Sequence, residues 1–138
     1  MFEAINIALT GLKAASTRVQ ASASNIANIS TVGALNEADG PAPFSALTTT
    51  QKAVTNGSGG GQGVQASIVE KDPGFVPAFS PNSPFVNEDG IIGVPNVNLS
   101  EEAVNLKLAE ASYQSSIAVL KTADELSEEL LGIFDDRV

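Results

Sequence analysis

Apolar and small residues recur near the start of the chain at steps of four and three, through Ile5, Leu9, Leu12, Ser16, Val19, Ala23 and Ile26. That spacing holds one stripe of a helix toward a partner helix, and it predicts a helix over about residues 2–28. The stripe is narrow, and Ser16 and Ala23 weaken it. A helix of this length spans roughly 40 Å and buries little by itself. The same step recurs near the other end, where Leu106, Tyr113, Ile117, Leu120, Leu131 and Phe134 share a heptad register. Glu110, Asp124 and Ser127 fall on that register too, while Leu126 and Leu130 flank the gap. Asn98 stands three residues before Glu101, an N-cap followed by a capping-box-like acid, and Glu101 and Glu102 favour the positive end of a helix. The second helix is predicted over about residues 99–134.

Between these helices the pattern changes. All seven prolines lie from Pro41 to Pro95, and ten of the twelve glycines lie from Gly33 to Gly93. Such residues break helices, so long helices are expected only at the ends. Val64, Ala66 and Ile68 alternate with Gln65, Ser67 and Val69, as a short strand requires. Asp89-Gly90, between Phe85-Val86 and Ile91-Ile92, has the composition of a hairpin turn. The run Asn56–Gly63 reads as a flexible glycine-rich loop. The expected fold class is therefore mainly α: long N- and C-terminal helices packed as a coiled-coil-like pair, with a small irregular β-containing insert. The segments are residues 1–31, 32–97 and 98–138.

Composition narrows the picture. Six Phe, one Tyr and no Trp leave little aromatic surface for a thick core, which suits slender helices lying close along their lengths. The formal net charge is −9, and such a chain repels phosphate backbones and anionic membrane surfaces. No nucleic-acid partner and no membrane insertion are expected. The charge is uneven: residues 1–28 hold Glu3 against Lys13 and Arg18, whereas residues 98–138 hold nine acids against three bases. The first residues lack a basic leader followed by an apolar run, so no cleavable signal is expected.

Candidate chemistry is thin. The chain has no Cys and no His, so thiolate chemistry, the commonest general base and the commonest metal ligand are all missing. The glycine-rich run lacks the Lys-Ser/Thr of a phosphate-binding loop. Glu88-Asp89 lacks the spaced oxygen ligands of a calcium loop. Tyr113 falls on the helical stripe, where packing is its ordinary role. No catalytic residue, cofactor site or metal site is expected. Asp124, Glu125, Glu128 and Glu129 form an acidic helical cluster, read either as a solvated face or as a face meeting basic groups on a neighbour.

Two stretches resemble a known family. Ala21-Ser22-Ala23-Ser24-Asn25-Ile26-Ala27-Asn28-Ile29-Ser30-Thr31 is similar to the N-terminal signature of the flagellar axial proteins, in which an Asn-Ile-Ala-Asn core ends the first helix. Pro95-Asn96-Val97-Asn98-Leu99-Ser100-Glu101-Glu102, with Ala111-Ser112-Tyr113-Gln114 and Leu120-Lys121-Thr122-Ala123-Asp124-Glu125, resembles the C-terminal helix of that family. Length and the Pro-Asn-Val-Asn sequence point to the small proximal subunits of the bacterial flagellar basal-body rod. The match departs after Gly33, where Ala34 and Leu35 replace the usual aromatic or basic residue.

The resemblance implies a structural subunit of the rod. It would be exported through the flagellar type III apparatus without a cleaved signal and would assemble with other rod subunits and basal-body components in the periplasm. Assembly, homo- and heterotypic, would use coiled-coil contacts of the terminal helices and would transmit torque for motility. Asn25 and Asn28 are then expected to close the first helix, since Asn tolerates the left-handed conformation. The competing reading is a soluble helical-hairpin adaptor or secretion chaperone.

Overall fold

The computed structural model describes residues 2–36 and 38–135, residues 134 and 135 by their backbone alone. Helix α1 spans Phe2–Ala27 and helix α2 spans Leu99–Asp135. Both are free of proline, and α1 is rich in Ala, the strongest helix former. Asn98 starts α2: its Oδ1 accepts from the backbone N–H of Ser100 at 2.9 Å and of Glu101 at 3.3 Å. The Glu101 carboxylate does not return to this cap but pairs with Lys71 at 3.4 Å.

Four strands lie between the helices: β1 (Leu47–Thr55), β2 (Gly61–Glu70), β3 (Phe75–Phe79) and β4 (Ile91–Pro95). β1 and β2 form an antiparallel ribbon from Leu47 opposite Glu70 to Thr55 opposite Gly61, with a bulge at Val54/Thr55. β3 and β4 form a second antiparallel pair, from Phe75 opposite Pro95 to Phe79 opposite Ile91. Gly33 bridges to Gly93 and extends this second sheet by one residue.

These strands correct the expected fold class. Among the described residues, helix accounts for 47% and strand for 23%, a mixed α/β fold with a β insert rather than a mainly α one. The terminal helices are present. The difference lies chiefly in β1, whose Thr48, Thr49, Thr50, Gln51 and Lys52 are polar on both faces. Thr supplies β propensity through its branched side chain without an apolar alternation to reveal it.

The glycine-rich segment is the turn of the first ribbon. Asn56 N–H donates to the Gly60 carbonyl at 2.8 Å, and its Oδ1 accepts from Ser58 and Gly60 N–H at 3.1 and 2.7 Å. The Asp89-Gly90 turn leads into β4, but the partner of β4 is β3, and Phe85-Val86 is not a strand.

The two helices run antiparallel. Asn25 meets Glu102 through a side-chain hydrogen bond, while a Cβ added at Gly11 would lie 2.6 Å from Ser116 Oγ. β2 lies against α1, where Thr10 Oγ1 accepts from the Val64 N–H at 3.0 Å and Val64, Ala66 and Ile68 are half-buried. Among the described residues, the buried apolar side chains are eight alanines, Ile92, Pro43 and Pro95. Each Ala methyl contributes only about 0.8 kcal/mol on burial, so this is a thin core that depends on close backbone approach.

Candidate assembly interface

The seam between the helices is built from small residues. On α1, Ala8, Ala15 and Ser22 are buried one heptad apart; on α2, Glu102, Ala109 and Ala123 are buried, and Ser116 completes the same register. With Gly11 against Ser116 the two backbones approach closely, which larger side chains would prevent. The expected stripe is therefore turned partly away from this seam. Ile5, Leu12 and Ile26 are half-buried beside it, whereas Leu9 and Val19 are 42% and 41% exposed. Leu106, Ile117 and Leu120 are also half-buried, but Tyr113 is 44% and Leu131 66% exposed. Phe134 lies outside the described side chains.

The physical reason is the width of the gap. A hydrophobic pattern ranks Leu and Ile above Ala, but two helices whose backbones approach closely need small side chains at the point of contact. The signal was present as Ala and Ser at heptad steps, Ala8-Ala15-Ser22 and Ala109-Ser116-Ala123.

Asn25 does something other than end the helix. Its side chain is 1% exposed. Oδ1 accepts from the Leu47 N–H at 2.7 Å, and Nδ2 donates to the Leu47 carbonyl at 2.8 Å. Nδ2 also donates to Glu102 Oε1 at 2.6 Å. The amide thus pairs with Leu47 as a neighbouring strand would, because a carboxamide carries the same donor and acceptor as a peptide. One residue ties the end of α1 to the first residue of β1 and the first turn of α2. Glu102 is itself buried, at 7% exposure, and Asn25 supplies the hydrogen bond that such burial requires.

Asn28 closes α1 locally. Its Nδ2 donates to the Ser24 carbonyl at 2.9 Å, and its Oδ1 accepts from Thr31 Oγ1 at 3.2 Å. Among the described residues no residue other than Gly has a positive φ, so neither Asn adopts the left-handed conformation expected for it.

A polar cleft of about 270 Å³ opens beside the junction, where Arg18, Lys71, Glu101, Glu102 and Asn105 face one another. It mixes both signs of charge, and Ser22, Thr48 and Thr49 also line it. Among the described residues, no group of three or more His, Cys, Asp or Glu side chains could hold a metal ion. No described helix is long and apolar enough to cross a membrane. What the surface does offer is apolar area: Phe2 is 85% exposed, and Leu126 and Ile133 are 51% and 56% exposed. Exposed apolar patches of this kind are a feature of interaction surfaces.

The chain matches known proteins across both helices. Residues 5–34 match the family described as "Flagella basal body rod protein". Residues 88–133 match "Flagellar basal body rod FlgEFG protein C-terminal". The flagellar basal-body rod protein FlgC of Yersinia enterocolitica is 34% identical, over 88% of this chain and 88% of its own length. FlgC of Buchnera aphidicola is 33% identical over 93% of each chain. FlgC of Agrobacterium fabrum is 30% identical over 89% of this chain and 87% of its own. With relatives this similar along nearly the whole length and both terminal helices matched, the chain belongs to the flagellar basal-body rod proteins.

Proposed function

We propose that the chain is a structural, non-enzymatic subunit of the proximal part of the flagellar rod, held among its neighbours by the outer faces of α1 and α2. The observation that carries this reading is the disposition of apolar side chains. The helices meet through Ala, Gly and Ser, and Leu, Val and Phe side chains are left on the outside. Burying them against neighbours offsets the entropy of ordering, so folding and assembly support each other. A rod built this way transmits torque through packed helices. Its partners are other rod subunits and basal-body components, and it reaches the periplasm through the flagellar type III apparatus without cleavage of a signal.

The test is direct. An epitope-tagged copy replacing the endogenous protein in a flagellated cell should restore motility and co-purify with detergent-extracted basal bodies. Mass spectrometry of that fraction should find the N-terminus uncleaved. Full motility with the tagged chain confined to the cytoplasm would refute the reading and favour an adaptor.

A further inference from the structure

α2 is apolar on a second stripe, separate from the buried positions that meet α1. Val104, Leu108, Val119, Leu126, Leu130 and Ile133 are each between 47% and 58% exposed. They belong to one repeat of eleven: Val104 and Leu126 share its first position with Ser115, Leu108, Val119 and Leu130 its second, and Ile133 its third with Ala111 and Thr122. All nine positions are exposed, and none is charged. Eleven residues make close to three turns of an α-helix, so the stripe runs nearly straight along α2 instead of winding with the heptad seam. The two patterns are distinct. Ala109, Ser116 and Ala123 serve the contact with α1, and the eleven-residue stripe is left exposed.

Val119 and Ser115 also line an apolar groove of about 550 Å³, shared with Ile7 and Gly11 of α1 and Val64 of β2. The stripe therefore continues into a depression wide enough to accept side chains from a helix. Glu125 and Glu129, three residues beyond Thr122 and Leu126, border the stripe on one side. The matching surface is on the same chain. α1 exposes Leu9, Ser16, Val19 and Ala23 along its outer face, with Lys13 four residues beyond Leu9. That face has one basic residue at the edge of an apolar stripe, and α2 has acids at the edge of another.

We propose that the eleven-residue stripe of α2 receives the outer face of α1 from a second copy of this chain, with Lys13 of one copy beside Glu125 and Glu129 of the other. The inference rests on the rod reading and specifies the contact. The two faces differ, so the contact is heterologous and propagates from copy to copy instead of stopping at a dimer.

The absence of native Cys permits a clean test. Cells lacking the endogenous protein would express two tagged full-length copies, one carrying Ser16→Cys and the other Thr122→Cys. The oxidising periplasm allows disulfides to form, and non-reducing gels of isolated basal bodies report them. A held contact raises the effective thiol concentration, so Ser16→Cys with Thr122→Cys should give at least about tenfold more heterodimer than Ser16→Cys with Gln114→Cys. Lys13→Glu should reduce that product, and Lys13→Glu combined with Glu129→Lys should restore it. Copies present in basal bodies with equal or no cross-linking at Thr122 overturn this inference and leave the rod reading standing. Copies absent from basal bodies overturn the rod reading and the inference with it.

Discussion

Replacing Asn25 by Ala should destabilise the chain more than any other single polar substitution. The side chain makes three hydrogen bonds: one accepted from and one donated to Leu47, at 2.7 and 2.8 Å, and one to Glu102 at 2.6 Å. Neutral hydrogen bonds contribute about 0.5–1.5 kcal/mol each, and bonds to a charged group about 1.5–3 kcal/mol. Removing the amide also strands the partners. Glu102 would keep a carboxylate at 7% exposure without the donor that offsets its desolvation. Together these terms predict a loss of about 3–5 kcal/mol, a large part of the roughly 5–15 kcal/mol available to a small domain. Urea unfolding followed by far-UV circular dichroism would read this as a lower midpoint. Because Leu47 is lost with the junction, the β1–β2 ribbon should loosen along with the helices. Glu102→Gln preserves an acceptor for Nδ2 and should be mild. A double-mutant cycle of Asn25→Ala with Glu102→Ala should show a coupling of about 1–3 kcal/mol. Asn25→Ala within about 1 kcal/mol of the parent chain would contradict the junction described here.

Three further substitutions follow from single contacts. Gly33→Ala sets a Cβ about 2.5 Å from the Ala42 carbonyl carbon; that neighbour is backbone and cannot rotate away, so a loss of about 1–3 kcal/mol in urea unfolding is expected. Asn98→Ala removes the cap of α2 and should lower stability by about 1 kcal/mol, measured the same way. Ile117→Asp places a charge on a half-buried position of α2 and should abolish motility in swarm plates while the protein is still synthesised, as judged by immunoblot.

The helices were legible because their evidence is local: freedom from proline over long stretches, and an Asn98 cap followed at once by acids. Their facing was not. A pattern search looks for Leu and Ile at the contact, yet the buried positions are Ala8, Ala15, Ala109 and Ala123, and Leu9 and Leu131 point out. Part of the heptad stripe, at Leu9, Val19, Tyr113 and Leu131, is exposed instead of lying between the two helices. β1 escaped notice because Thr48, Thr49 and Thr50 give a strand no apolar alternation. The role of Asn25 could not be read at all, since its partners are 22 and 77 residues away in the chain. The motif that carried the family resemblance was visible; the three-way junction it builds required the fold.

The central claim is that the outer faces of α1 and α2 are completed by neighbouring subunits. Amide hydrogen exchange, read by mass spectrometry on the purified chain and on the same chain within isolated basal bodies, tests it most directly. The prediction is ready exchange of α2 over residues 126–135 in the isolated chain, where Leu126, Leu130, Leu131 and Ile133 are exposed, and strong protection of the same peptides after assembly. Equal, strong protection of those peptides in both states would mean that the helix needs no neighbour, and the account would fail.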